Sequence, residues 1–177
     1  MGNRTDVAII VGSGSDLALV DETVKVLNEF KLSSSVNIAS AHRAVKYLKQ
    51  CIEGAESSGV KVFIAVAGMS AALPGVIASE TIVPVIGVPV DCKYLAGFDA
   101  LLSMVQMPKG VPVATVAVGK AGAINAAILA AQIAAVGDDD LREKLKSYKI
   151  KLAEIVVKED LKLQKNGLEK YITGLEK

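Results

Sequence analysis

The sequence predicts an α/β domain, a parallel sheet with helices on both faces. Three observations carry that expectation. Apolar, β-rich runs alternate with stretches of helical periodicity from Val7 to Gly137. Most runs end at glycine or small polar residues, the punctuation of strand-to-helix turns. Successive runs stand a helix apart, the spacing of crossover units rather than hairpins.

Each element follows from its own residues. Val7–Val11 reads as a buried strand that stops at "GSGSD", residues 12–16. Leu17, Val20, Val24, Leu27 and Phe30 recur at steps of three and four, so 16–30 reads as an amphipathic helix. Ser15 or Asp16 is the candidate cap. A short strand, Val36–Ala39, leads into "SAHR", residues 40–43, and a helix with the apolar stripe Val45, Leu48, Ile52 and Ala55, closed by Gly59. "VKVFIAVAG", residues 60–68, is a strand buried on both faces. A helix follows at about 71–80, then the strand "VPVIGVPV", residues 83–90. Residues 94–106 read as helix, and "GVPVATVAV", residues 110–118, as a fifth strand. "GKAGAINAAILAAQIAAVG" is an alanine-rich helix ended by Gly137.

The tail differs in composition. Residues 138–177 are rich in Lys and Glu, with Asp138–Asp140 as an N-terminal cap. Leu141, Leu145, Tyr148, Leu152 and Ile155 form a stripe fitted to cover the core or a neighbouring subunit. The expected organisation is a catalytic domain at 1–137 and a C-terminal helical extension at 138–177.

Composition narrows the function classes. With a net charge of +1 there is no electrostatic case for nucleic acid or an acidic membrane. At 4% aromatic residues and no Trp, a base-stacking platform is not expected. Cys51 and Cys92 form no C-x-x-C, and with no secretory pattern they read as reduced thiols of a cytoplasmic protein. One histidine and two distant cysteines argue against a zinc site.

Ligands of open α/β sheets sit beyond the carboxyl ends of the strands. The turns Gly12–Asp16, Ser40–Arg43 and Gly68–Leu73 are therefore expected side by side. In the first turn, small residues and free helix-start amides suit a phosphate, though an ordinary capped turn fits as well. The pattern is neither a P-loop nor G-x-G-x-x-G. His42, the sole histidine, can exchange a proton near neutral pH or merely hold its turn together. Arg43 offers a planar fork for phosphate or carboxylate, or is a solvated first-turn residue. Asp16 suits sugar hydroxyls or a cap, and Ser13 and Ser40 are hydroxyl donors. Lys120, in "GKAG", could attract an anion at a helix start, though a surface lysine is the plainer reading. "AGMSAALPG", residues 67–75, has few side chains to block a flat ring, and "VQMPKGVPV", residues 105–113, reads as a rigid connection or a plain loop.

Together "GSGSD", "SAHR", "AGMSAALPG", "GVPV", "VQMPKGVPV" and "GKAGAINAAILAAQI" resemble, in order and spacing, the aminoimidazole ribonucleotide carboxylase/mutase family of purine synthesis. The resemblance runs from about Val7 to Ala135. It implies a three-layer α/β/α flavodoxin-like fold, a homo-octamer, and no metal or cofactor. It implies formation of 4-carboxy-5-aminoimidazole ribonucleotide, by moving a carboxyl group within 5-(carboxyamino)imidazole ribonucleotide or by adding CO2 directly. The mutase route implies a functional link to an ATP-dependent carboxyaminoimidazole ribonucleotide synthase. Carried over by position, His42 is the proton shuttle, and Ser13, Asp16 and Arg43 bind the nucleotide. The full expected substrate-binding set is Gly12, Ser13, Ser15, Asp16, Ser40, Ala41, Arg43, Gly68, Met69, Ser70, Ala72 and Leu73. One stretch departs from the usual mutase motif, Ala-Gly-Gly-Ala-Ala-His-Leu-Pro-Gly. Met69, Ser70 and Ala72 stand at its second glycine, an alanine and its histidine, a form closer to the direct carboxylases. Ala44-Val45 after "SAHR" replaces the usual Thr-Pro. A non-catalytic nucleotide-binding module and a purely structural oligomer are the alternatives from other classes.

Overall fold

The centre of the fold is a pair of strands with no exposed face. β1 (Val7–Val11) and β3 (Val62–Ala67) are buried at every residue and pair in parallel, Val7 opposite Val62 through Val11 opposite Val66. Near-continuous Val, Ile and Ala suit strands that need apolar neighbours on both sides. The structure, a computed structural model, describes residues 5–175. α1 (Leu17–Glu29) follows β1, β2 (Ser34–Ile38) precedes α2 (Val45–Ser57), and α3 (Leu73–Glu80) follows β3. β4 (Val85–Pro89), α4 (Phe98–Val105), β5 (Ala114–Thr115) and α5 (Lys120–Ala134) complete the α/β unit. α6 (Asp139–Asn166) and α7 (Leu168–Leu175) form the tail. The parallel sheet has the order β2-β1-β3-β4-β5 expected of a flavodoxin-like fold.

Strand alternation sorts the core into two layers. Val7, Ile9, Val11, Ile64, Val66 and Ile86 face α1, α5 and the start of α6. Ala8, Ile10, Phe63 and Ala65 face α2, α3 and α4 through Leu48, Ile52, Ile77 and Met104. Each fully buried Ile or Phe contributes about 1.5–3 kcal/mol of transfer free energy. α5 is long and apolar enough, with the turn after it, to cross a membrane by length and composition. Its apolarity has another use here: Ala123, Ala126, Ala127, Ala130 and Ala131 are buried against α1 and the sheet. The small side chains let the helices approach closely, and the buried Thr23 hydroxyl can reach two carbonyls, Ala123 at 3.1 Å and Leu19 at 3.3 Å. Closer still, a Cβ at Gly122 would lie 1.7 Å from the Ala117 carbonyl oxygen.

Several elements differ from expectation for local reasons. The fifth strand is two residues long, because Pro108 and Pro112 lack a donor and Gly110 turns the chain at φ +99°. Pairing with β4 continues only at intervals, Val116 N–H to Gly87 O at 3.1 Å and Gly119 N–H to Pro89 O at 2.9 Å. α4 starts at Phe98 rather than 94, since Ala96 (φ +49°) and Gly97 (φ +80°) leave helical space. Leu17 and Val45, each the first residue of its helix, are exposed rather than part of the buried stripe. In the tail, Asp138 caps α6 by accepting the Leu141 N–H at 2.9 Å. Leu141, Leu145 and Tyr148 pack on the core, Tyr148 edge-on to Phe30 at 5.4 Å. Leu152 and Ile155 are exposed, so the stripe leaves this chain's core after about two turns. Gly167 (φ +74°) breaks the helix, and α7 returns so that the Tyr171 hydroxyl donates to Glu159.

At the amino end of the sheet, Asp6 ties β1 to its neighbours. Its carboxylate accepts from the Ser33 amide (3.1 Å) and hydroxyl (2.7 Å), and pairs with Lys61 at 3.1 Å. Burial alone would raise the Asp6 pKa, but the bonds from Ser33 and Lys61 outweigh it, and the carboxyl titrates below its ordinary value. A lowered carboxyl pKa stabilises the fold above the unfolded value and loses that effect as pH falls through the folded one. Asp6→Asn should therefore lower the urea midpoint at pH 7, with the difference from wild type closing below about pH 4. Gly122→Ala should cost about 3 kcal/mol, read in the same unfolding experiment, because the obstructing atom is backbone.

Candidate active site

β1, β2, β3 and β4 end on the same side, and the backbone ladder continues just past their ends. Gly12 N–H bonds Val66 O at 3.0 Å, Ala39 N–H bonds Val11 O at 2.9 Å, and Val90 N–H bonds Ala67 O at 3.0 Å. The four following loops thus start from fixed points. β1 lies between β2 and β3, the switch in strand order where open α/β sheets form a crevice. A cavity of about 630 Å³ sits there, within the range of about 300–1,000 Å³ common for small-molecule sites.

From the first loop, Gly12, Ser13, Ser15 and Asp16 line the cavity. A single 3-10 turn, Gly14–Asp16, precedes α1; Ser13 caps that turn, and Asp16 holds the N-cap position of α1 without a side-chain bond to it. Ser13 Oγ accepts the Ser15 N–H at 3.3 Å. The Ser15 hydroxyl lies 2.9 Å from Ser13 Oγ and 2.8 Å from Asp16 Oδ1. It has one proton, and the charged acceptor is the stronger claimant. The Ser13 hydroxyl proton is thereby left for Ser15 Oγ or for a ligand.

The second loop contributes Ser40, Ala41, His42 and Arg43. Its turn is closed by Ala44 N–H to Ser40 O at 2.9 Å, and Ser40 Oγ accepts from the Arg43 amide (3.3 Å) and Nε (3.4 Å). Arg43 Nη2 reaches the Gly12 carbonyl at 3.5 Å, a long contact that joins the first two loops. His42 and Arg43 are exposed side chains on a pinned backbone, available to a ligand.

The third loop brings Gly68, Met69, Ser70, Ala72 and Leu73, together with Ala67 and Ala71. Ala71 and Leu73 are buried and give the cavity an apolar floor. His42 and all of the expected substrate-binding set therefore border one cavity. Val90, Asp91 and Cys92, after β4, also line it and were not anticipated. The carboxyl end of "VPVIGVPV" was the available signal, usable only once β4 is known to neighbour β3. Lys120 does not line the cavity and pairs with Glu22 at 3.2 Å. The 105–113 connection is also outside it, with Met107 against Gly75. Among the described residues no group of three or more His, Cys, Asp or Glu is placed to hold a metal ion.

Arg43, serine hydroxyls, the carboxylates of Asp16 and Asp91 and an imidazole around one crevice, above buried Ala71 and Leu73, define a small-molecule site in an α/β domain. The comparisons with known proteins agree with that class. The family described as AIR carboxylase matches residues 6–154. The protein named N5-carboxyaminoimidazole ribonucleotide mutase of Haemophilus influenzae is 47% identical over 149 residues, 84% of this chain and 91% of that protein. The protein of the same name from Pyrococcus abyssi is 45% identical over 168 residues, 95% of each. The crystal structure of Treponema denticola PurE superposes with a TM-score of 0.82 at 30% identity, covering 90% of this chain and 99% of that one. The chain belongs to the AIR carboxylase family.

Arg43→Met should leave the urea midpoint nearly unchanged, since the side chain is exposed. The same substitution should weaken ribose 5-phosphate binding at least about tenfold, the worth of a lost charge-assisted bond. Titration calorimetry reads both the affinity and its loss.

Proposed function

We propose that this chain is an N5-carboxyaminoimidazole ribonucleotide mutase of purine biosynthesis, with His42 as its proton shuttle. The observation that carries the reading is the meeting of the Gly12–Asp16, Ser40–Arg43 and Gly68–Leu73 loops around one cavity that His42 borders. The names borne by the relatives support the same reaction. Arg43, the Ser13 hydroxyl and the first-turn amides hold the phosphate, and Asp16 accepts from ribose hydroxyls. The Gly68–Leu73 backbone and the alanines beneath it receive the imidazole ring.

The reaction then needs one acid–base group used twice. As the bond from the exocyclic nitrogen to the carboxyl carbon breaks, its electron pair stays on nitrogen and His42 protonates it. The released CO2 stays in the cavity and bonds to the adjacent ring carbon. His42 removes the proton from that carbon and returns to its starting state. The proton count closes without an outside donor, which fits a site whose cavity-lining bases include a single imidazole.

On this reading the enzyme works in the cytoplasm, beside an ATP-dependent carboxyaminoimidazole ribonucleotide synthase that supplies its substrate. We also propose a homo-octamer, with the 138–177 extension reaching a neighbouring subunit. Exposed Tyr94, Leu95, Phe98, Leu102 and Val105 around α4, and Ile150, Ile155, Val156 and Val157 on α6, support burial against other copies. Light scattering should return eight chain masses, and a monomer would contradict the assembly.

Purified protein given the carboxyamino compound should convert it to 4-carboxy-5-aminoimidazole ribonucleotide, faster than it carboxylates aminoimidazole ribonucleotide in bicarbonate. The reverse preference would indicate direct carboxylation. His42→Asn should retain nucleotide affinity and lose roughly 10²–10⁴-fold in kcat, the usual share of acid–base catalysis.

A further inference from the structure

Asp91 is a cavity-lining carboxylate that the phosphate, ribose and proton-shuttle roles leave unused. Its side chain is exposed, and among the described residues it makes no hydrogen bond or ion pair. Its backbone, by contrast, is clamped. On either side of it, Val90 N–H bonds Ala67 O at 3.0 Å and the Cys92 carbonyl accepts Ala96 N–H at 2.9 Å. Gly97 (φ +80°) packs so close that an added Cβ would lie 3.1 Å from Asp91 Cα and 3.0 Å from Val90 O. Gly119, at the N-cap of α5, is tied to the end of β4 by its N–H to Pro89 O at 2.9 Å. A Cβ there would lie 3.5 Å from Asp91 Oδ1, so the carboxylate stands beside the start of α5. The positive end of a 15-residue helix suits a negative charge, yet no side chain bonds this N-terminus as a cap. A carboxylate held in place with its acceptor sites open is fitted to receive a donor from the cavity.

Strand order decides which part of a ligand it meets. The sheet runs β2-β1-β3-β4, so the cavity-lining loops stand in the order 40–43, 12–16, 68–73 and 91–92. With the phosphate on the first two and the ring over the third, the fourth borders the edge of the ring away from the phosphate. The donor on that ring is its exocyclic nitrogen, which has one N–H in the carboxyamino compound and two in the product. We propose that Asp91 accepts a hydrogen bond from this nitrogen, so that the site selects imidazole nucleotides by their exocyclic amine. This deepens the mutase reading above and rests on it. The same bond serves the chemistry. As the ring carbon bonds to CO2, one C–O π pair moves onto oxygen and the nitrogen lone pair is drawn toward the ring. Positive charge grows on that nitrogen beside the Asp91 carboxylate. The charge is discharged when His42 removes the ring-carbon proton and the lone pair returns.

The test is a cycle between residue and ligand, read by titration calorimetry on the full chain. The ligands are aminoimidazole ribonucleotide and the same nucleotide without its amino group. The unsubstituted protein should bind the amino form at least about tenfold more tightly, the worth of a hydrogen bond to a charged group. Asp91→Ala should lose that factor for the amino form and keep its affinity for the other. Asp91→Asn, which keeps the side chain's shape, should fall between them, and it takes over the test if Asp91→Ala does not fold. Asp16→Ala, altered at the ribose, should weaken both ligands alike and keep the preference. Equal weakening of both ligands in the Asp91 variants would mark a merely structural role and overturn the proposal. So would equal affinity of the unsubstituted protein for the two ligands, a preference that survives in both Asp91 variants, or one that vanishes in Asp16→Ala instead. No binding of either nucleotide by the unsubstituted protein would remove the mutase reading itself, and this inference with it.

Discussion

Everything at the candidate site depends on β1 being held in parallel between β2 and β3. Neighbouring strands stand about 4.8 Å apart. Their carboxyl ends therefore deliver successive loops into a space the size of one small molecule. Burial of Val7–Val11 and Val62–Ala67 on both faces fixes that arrangement, and a one-residue slip would turn Ile9 and Ile64 toward the wrong layer. The loops are then free of any duty to stabilise the sheet. They can be small, polar and locally strained, as at Ser13, Ser40 and Met69.

The loops are also joined to one another. Arg43 touches the Gly12 carbonyl while its amide and Nε hold Ser40 Oγ, so the cation that would meet a phosphate is already oriented by both loops it bridges. His42 lies next to it in the same closed turn. Presenting exposed side chains from a pinned backbone limits what a ligand must order on binding. On the opposite wall Gly68 is packed against Cys92 and Val90, which couples the third loop to the fourth. Four separate segments thus behave as one rim.

Much of this was legible in the sequence because the signals are local. Apolar runs broken by "GSGSD", "SAHR" and "AGMSAALPG" carry the strand, the turn and the next helix in a few residues each. The alanine-rich helix and the Asp138 cap were equally readable. The illegible features depend on distant partners. The side-chain cap at this turn comes from Ser13, which closes the 3-10 turn, while Asp16 at the N-cap position of α1 makes no such bond. β5 shrank to Ala114–Thr115 because an edge strand with nearby prolines has one neighbour to pair with. Asp91 and Cys92 belong to the cavity through strand order, which no single stretch encodes. Met69 is marked in the sequence as a site residue in place of the motif's second glycine, but its φ of +57° and its exposure come from the fold.

A crystal structure with aminoimidazole ribonucleotide bound tests the central claim most directly. The account predicts the phosphate on the 12–16 turn and Arg43, with the imidazole ring between His42 and the 68–73 loop. A nucleotide bound in the reverse sense, or outside the crevice at the ends of β1 and β3, would contradict it.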